Sequence, residues 1–212
     1  VPSPLLQLLA LATLELLDSM ESSATVHPAT HALLKAVRPA EPGRAVRAQY
    51  DSYREEVDNP DSTTETYARL QLDIDNHRWH GVPITITTGK ALRDKTTEIA
   101  ITFADKSGSA EHDNVLTFRL QPNEGIHLQL CVKKPSFAHE IEKAVMDFSY
   151  KDTFIDHGHP DAYERVLVDA VRGDRTLFAT SDEVLLSWKI LEEVLEAWQG
   201  NAGSMLTYAS GS

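Results

Sequence analysis

The chain has 212 residues and a single cysteine, Cys131. That scarcity excludes an intrachain disulfide framework and any zinc site built from several cysteines, and it fits a reducing, cytoplasmic compartment. Positive charge is also short. Lys and Arg number 20 against 32 Asp and Glu, for a net charge of −12 with His neutral. A polyanion would be repelled over most of such a surface, so neither nucleic acid nor an anionic membrane is expected as a partner. An anionic ligand must instead be met by a few locally placed cations. No stretch approaches the roughly 18 to 20 consecutive apolar residues that a membrane span needs. The segment holding Leu5, Leu6, Leu8, Leu9 and Leu11 lacks a basic region ahead of it, and Gln7, Glu15 and Asp18 interrupt it. That pattern speaks against a signal peptide. Val1 in place of Met predicts that something has been removed upstream. Internal repeats and low-complexity tracts are absent as well.

What is present divides into three stretches. The first reads helical: leucines at Leu5, Leu8, Leu9 and Leu16 recur at helical spacing behind a Ser3-Pro4 start, and a short helix is predicted from Thr30 to Val37. A polar stretch from Asp51 to Thr64 reads as a long loop. From Thr64 the period changes to that of strands. Candidates are Tyr67–Ile74, Val82–Thr87, Thr97–Phe103, Val115–Leu120, Gly125–Val132 and Met146–Tyr150, joined by polar connections without helices between them. Such an order favours antiparallel pairing. The tail returns to helix. Asp161–Val171 sets Tyr163, Val166, Leu167 and Ala170 on one stripe, and Ser181 caps a longer helix carrying Val184, Leu185, Trp188, Leu191, Leu195 and Trp198. The last dozen residues read as a loose end. The expected fold is one α+β domain over residues 1–212, a large, mostly antiparallel sheet with flanking helices at both chain ends.

Generic catalytic motifs are missing: no glycine-rich dinucleotide turn, no phosphate-binding P-loop, no nucleophile elbow and no H-E-x-x-H. His77 and His80 lie three apart, but Asp75-Asn76 before them and Gly81-Val82-Pro83 after them indicate a bend between strands rather than a metal site. His157 and His159 flank a glycine ahead of Pro160 and read as loop residues. An acidic, histidine-based metal protein has no coordinated spacing behind it.

Longer strings carry more. Asp61-Ser62-Thr63-Thr64-Glu65-Thr66-Tyr67-Ala68 precedes Leu72-Asp73-Ile74-Asp75-Asn76-His77-Arg78-Trp79-His80-Gly81-Val82-Pro83 and Thr88-Gly89-Lys90-Ala91-Leu92. Then follow Leu120-Gln121-Pro122-Asn123-Glu124-Gly125, Met146-Asp147-Phe148-Ser149-Tyr150, Asp161-Ala162-Tyr163-Glu164-Arg165 and Arg172-Gly173-Asp174. In this order, and over nearly the whole chain, these strings resemble the C-terminal domain of glucose-6-phosphate dehydrogenase. The resemblance implies a domain whose sheet supplies much of a homodimer interface. It also implies roles for three residues: Lys90 and Lys95 contact the phosphate of glucose 6-phosphate, and Gln121 lies near the sugar hydroxyls. The chemistry of these side chains suits those roles. A compact ammonium on a flexible stem serves a phosphate as a point charge, and an amide offers both a donor and an acceptor to vicinal hydroxyls. Read without the resemblance, Lys90 and Lys95 are equally two solvated surface lysines, and Gln121 a polar residue of an edge strand.

The departures bear on activity. The intact family enzyme is an oxidoreductase of glucose metabolism, in the pentose phosphate pathway. It passes hydride from C1 of the sugar to NADP, held by an N-terminal Rossmann half that has no counterpart in these residues. NADP is therefore not expected to bind this chain alone. The family's general-base histidine sits in a string of the type Q-N-H-L-L-Q, and the matching residues here, Pro2 to Gln7, put Pro4 in its place. His77 and His80 stand where relatives often carry Trp and a small residue. Arg119 matches one cation of a second, structural NADP site known in some relatives, but Thr87, His127 and Gln129 replace its other groups, so that site is not expected. Two functional expectations follow. One is the substrate-binding and dimerisation portion of a glucose-6-phosphate dehydrogenase, inactive by itself. The alternative is a non-catalytic, stand-alone interaction module derived from that family.

Overall fold

The computed structural model describes residues 3–13, 23–104, 113–137, 140–154, 162–176, 178–200 and 205–212. The chain divides into two compact units, residues 1–93 with 161–212 and residues 94–160. The α+β class and the mostly antiparallel pairing hold, with the strands shared between two four-stranded sheets, one per unit.

The first unit contains helices α1 (Ser3–Thr13) and α2 (Ser23–Ala36), a 3-10 turn at Pro42–Arg44, strand β1 (Ala45–Tyr50), the one-turn helix α3 (Tyr53–Glu56) and strands β2 (Tyr67–Leu72) and β3 (Ile84–Gly89). The second unit holds β4 (Thr97–Phe103), β5 (Asn114–Gln121), β6 (Gly125–Lys133), β7 (Ile141–Ser149) and the short helix α4 (Tyr150–Thr153). Helices α5 (Ala162–Arg172) and α6 (Ser181–Gly200) and strand β8 (Leu206–Tyr208) return to the first.

In the first unit the sheet order is β3-β2-β1-β8, antiparallel except for the parallel β1–β8 pair. Its core gathers Leu6 and Ala10 of α1, Leu33 and Leu34 of α2, Leu72 of β2 with Ile74 just beyond it, and Ile190, Leu191 and Val194 of α6. Burial of these aliphatic side chains, each worth about 1.5–3 kcal/mol when complete, is what holds three helices to one sheet.

Several expectations change here. Helix α2 begins at Ser23 rather than Thr30 and runs through Pro28; past the first turn a proline forfeits one backbone bond and crowds the carbonyl four residues before it. The long loop after Asp51 contains α3. Strand β1 escaped the pattern reading because burial in it does not follow polarity: Arg47 and Gln49 are buried alongside Ala48 and Tyr50, while Val46 is 43% exposed. Arg47 lies over the Trp198 ring at 5.6 Å, and Gln49 donates to the carbonyls of Ser62 and Thr64 and accepts from Arg54 Nε. The supposed loose end supplies β8. Helix α6 is capped by Thr180 rather than Ser181. The Glu183 amide donates to Thr180 Oγ1 and the Thr180 amide to Glu183 Oε2, a reciprocal capping box. The buried stripe of α6 is Glu183, Ser187, Ile190, Leu191 and Val194, so Leu185 and Trp188 are left exposed on the other side. In α5 the expected stripe forms, but Tyr163, Val166 and Leu167 remain 81%, 50% and 66% exposed.

The second unit is the antiparallel sheet β4-β5-β6-β7. Its register aligns Ile99, Phe118, Ile126 and Phe148 across four strands, and Ile101, Leu116, Leu128 and Met146 beside them. Because side chains alternate along a strand, these rows make one apolar face. The other face carries Thr117, His127 and Asp147, with Arg119 donating to the Asp147 carboxylate.

Candidate functional site

Lys90 belongs to the first unit and stands directly after β3. Its main chain is fixed on both sides: the Lys90 amide donates to the Thr66 carbonyl at 2.9 Å, and its own carbonyl accepts from the Tyr208 hydroxyl at 2.7 Å. Gly89 lies close against the side chains of Leu92 and Tyr67. A Cβ there would lie 2.7 Å from Leu92 Cδ1 and 3.0 Å from Tyr67 Cδ2. The turn itself falls on Ala91, whose φ of 48° places a non-glycine residue in the left-handed region. Such a conformation costs of order 1–3 kcal/mol and persists where surrounding bonds enforce it. With the backbone held, the exposed Lys90 side chain projects from a fixed point.

Lys95 and Gln121 belong to the second unit. Lys95 lies two residues before β4, and Gln121 is the last residue of β5, paired with Thr97 at the start of β4. The fold thus sets Lys95 and Gln121 at the same end of one antiparallel ribbon, and both are exposed. The hairpin beyond Gln121 turns through Pro122 and Asn123, the latter with φ 61°. Among the described residues, no carboxylate lies within ion-pair distance of Lys90 or Lys95. Three arginines are by contrast engaged: Arg44 with Asp73, Arg38 with Asp75, Arg119 with Asp147. A lysine left out of such pairs is available to an anion.

The histidines fall elsewhere. His77 and His80 sit in a turn in which the His80 amide donates to the Asn76 carbonyl at 3.0 Å, and His80 Nδ1 is 3.4 Å from Asp75. Arg38 beside Asp75 holds that carboxyl below its usual range. No group of three or more potential metal ligands occurs among the described residues. His157 and His159 lie outside the described residues.

The family model described as "Glucose-6-phosphate dehydrogenase, C-terminal domain" matches residues 1–212. The chain belongs to that family. Glucose-6-phosphate 1-dehydrogenase of Gluconobacter oxydans is 40% identical over 233 aligned positions, covering 100% of this chain and 47% of its own length. The Chlamydia muridarum enzyme of the same name is 37% identical, again with all of this chain and 46% of its own. A solved structure of glucose-6-phosphate dehydrogenase in complex with glucose 6-phosphate superposes with a TM-score of 0.86 at 33% identity, over 98% of this chain and 45% of that one. The Mycobacterium avium enzyme gives 0.84 at 31% identity. The chain therefore spans about half the length of the glucose-6-phosphate dehydrogenases it matches.

Two features of this family member were missed in the sequence: the left-handed turn at Ala91 and the bond from Tyr208 to Lys90. Neither leaves a local signal, since alanine gives no hint of positive φ and Tyr208 lies 118 positions from its partner.

Proposed function

We propose that this chain is the sugar-phosphate-binding and dimer-forming portion of a cytoplasmic, NADP-dependent glucose-6-phosphate dehydrogenase, with residues 1–212 working as one functional domain. Its family membership over the full 212 residues carries the reading, and Lys90, Lys95 and Gln121 stand in the strings to which the resemblance assigns substrate contact. Lys90 and Lys95 supply positive charge to the phosphate, and Gln121 bonds the sugar hydroxyls. A charge-assisted hydrogen bond contributes about 1.5–3 kcal/mol, and millimolar affinity requires about 4.1 kcal/mol. Two lysines thus hold glucose 6-phosphate weakly, in the millimolar range.

When bound, NADP supplies the hydride acceptor. The described residues do not fit it: the parallel pair, β1 and β8, is separated by all the other strands rather than joined by one crossover helix, and no glycine-rich turn follows a strand. Pro4, at the position of the family's general base, has no group to take the proton from the C1 hydroxyl. Losing a positioned base typically costs on the order of 10²- to 10⁴-fold in rate. The chain alone is expected to give no turnover of glucose 6-phosphate with NADP, followed as reduced cofactor; steady turnover overturns the reading. Calorimetry or NMR should give millimolar binding that Lys90→Ala removes, and binding that ignores Lys90→Ala also overturns it.

Pro4 and the open apolar face of the β4–β7 sheet favour a second reading, a non-catalytic module that pairs with its own copy or a full-length enzyme through that sheet. The parent open reading frame separates the two. A Rossmann half immediately upstream supports the first, and a start codon there the second. A homodimer is expected under either, and sedimentation as a stable monomer at micromolar concentration removes it.

A further inference from the structure

We propose that Tyr208 is a positioning residue for Lys90, the centre of a clasp by which the end of the chain sets the phosphate-binding lysine; this rests on the reading of Lys90 given above. Four bonds make the clasp. The Tyr208 hydroxyl donates to the Lys90 carbonyl at 2.7 Å, and the Gly211 amide donates to the Ala91 carbonyl at 2.7 Å. The Arg93 amide donates to the Ser212 carbonyl at 3.1 Å, and the Ser210 amide to Asp51 Oδ1 at 3.2 Å. Strand β8 brings these groups into place by pairing in parallel with β1, Tyr50 opposite Tyr208.

The Tyr208 hydroxyl is also the end of a relay. Thr66 Oγ1 lies 2.9 Å from it and accepts from the Tyr50 amide at 2.9 Å. With its one proton given to the Lys90 carbonyl, the tyrosine oxygen is free to accept from the threonine hydroxyl. The order Tyr50 amide, Thr66 hydroxyl, Tyr208 hydroxyl, Lys90 carbonyl therefore satisfies every group, and each bond in such a chain polarises the next. Thr66 closes the loop by taking the Lys90 amide on its own carbonyl. The ring of Tyr208 is fixed independently, edge-on to Tyr50 at 6.1 Å and to Tyr67 at 6.0 Å between centroids. Removing the hydroxyl leaves that packing in place.

The strained residue explains why a clasp is needed. Ala91 has positive φ, so the turn after Lys90 relaxes toward another conformation unless its carbonyl and those of its neighbours are bound. The tail binds the carbonyls of both Lys90 and Ala91, and a shift of the turn would carry the lysine away from its phosphate.

The test uses the full 212-residue chain and glucose 6-phosphate itself. In Tyr208→Phe, amide exchange at Lys90 to Arg93 accelerates about fivefold, as for the loss of one hydrogen bond, and glucose 6-phosphate binds about fivefold more weakly. Exchange in the β1–β2 ladder stays unchanged, which a merely structural role would not allow. Thr66→Val gives the same result at Lys90 to Arg93 should Tyr208→Phe fold poorly, with faster exchange at the Tyr50 amide as well because its acceptor is removed, and Thr66→Ser, which keeps the relay hydroxyl, behaves as wild type. If Tyr208→Phe leaves local exchange and affinity unchanged while Lys90→Ala abolishes binding, the clasp is overturned and the site reading survives. If Lys90→Ala has no effect, or the wild-type Lys90 resonances do not respond to glucose 6-phosphate, both fall.

Discussion

In the first unit Leu6, Leu34, Leu72, Ile74 and Val194 each keep 1% exposure, and helices from both ends of the chain meet over them. In the second unit the sole buried residue of β4 to β7 is Gly125, while Val145 and Met146 are 54% and 63% exposed. One unit is held by an interior and the other by its hydrogen-bonded ladder. A sheet with an apolar face and little cover is the usual form of a surface that another layer completes. The same chain thus joins a unit with a buried interior, carrying Lys90, to a sheet with almost none, carrying Lys95 and Gln121.

The sharpest way to break this comparison is a matched pair of truncations. Leu34→Ala should cost about 2–5 kcal/mol, because the space it leaves among Leu6, Ile190 and Val194 cannot collapse fully. Met146→Ser, on the exposed apolar row, should change the stability of the monomer by no more than about 0.5 kcal/mol and should instead weaken self-association. Chemical denaturation and sedimentation of both variants measure the two effects. Equal losses of stability would mean that the sheet has a hidden interior of its own.

A second prediction tests what holds the ladder together. Gly125 sits opposite Arg119 on one side and Ser149 on the other, and a Cβ placed on it would lie 2.2 Å from the Phe148 carbonyl oxygen. The obstacle is backbone, so it cannot swing aside. Gly125→Ala should therefore push β7 from β6 at this end and cost about 1–3 kcal/mol, as overpacking does. Amide exchange should quicken first at Ser149 and Phe148, with the β1–β2 ladder unaffected. A fully stable Gly125→Ala variant would show that the sheet end is loose enough to absorb the methyl group.

How far the sequence reveals these arrangements depends on whether the side chains that matter alternate by polarity. Strand β4 is legible to the residue because Thr97 to Phe103 alternates apolar and polar positions over a half-buried face. Strand β1 is not, since the polar Arg47 and Gln49 are buried, Arg47 over the Trp198 ring and Gln49 bonded to Arg54 and to backbone carbonyls, none of which a local pattern shows. Helix α6 carries apolar residues on more than one side, so spacing alone selects the larger Leu185 and Trp188, while packing selects the side where Ser187 permits close approach. The candidate site divides the same way. Lys90, Lys95 and Gln121 are readable as candidates only because their strings resemble a known family; all three are exposed, at or just beyond strand ends. The clasp on Lys90 is unreadable because it depends on a tertiary meeting of Thr66, Ala91 and the last five residues.

The smallest expected effect concerns the rim of the first unit, where Arg44 donates to the Asp73 carboxylate with two guanidinium nitrogens. That bond holds the Asp73 carboxyl below its ordinary value. A carboxyl lowered in the folded state means that the unfolded chain takes up its proton first as pH falls. The stabilisation is then complete above the ordinary carboxylate range, about pH 4, and is lost as pH drops through the folded value. Arg44→Ala should lower the denaturation midpoint slightly at neutral pH, and the gap from the unmodified chain should close on acidification below about pH 4. Asp73 is 38% exposed at its side chain, so solvent screens much of the interaction and the shift is expected to be well below that of Leu34→Ala. A gap that persists undiminished at pH 2 would show that Arg44 acts through packing against the Pro42 turn, not through the charge on Asp73.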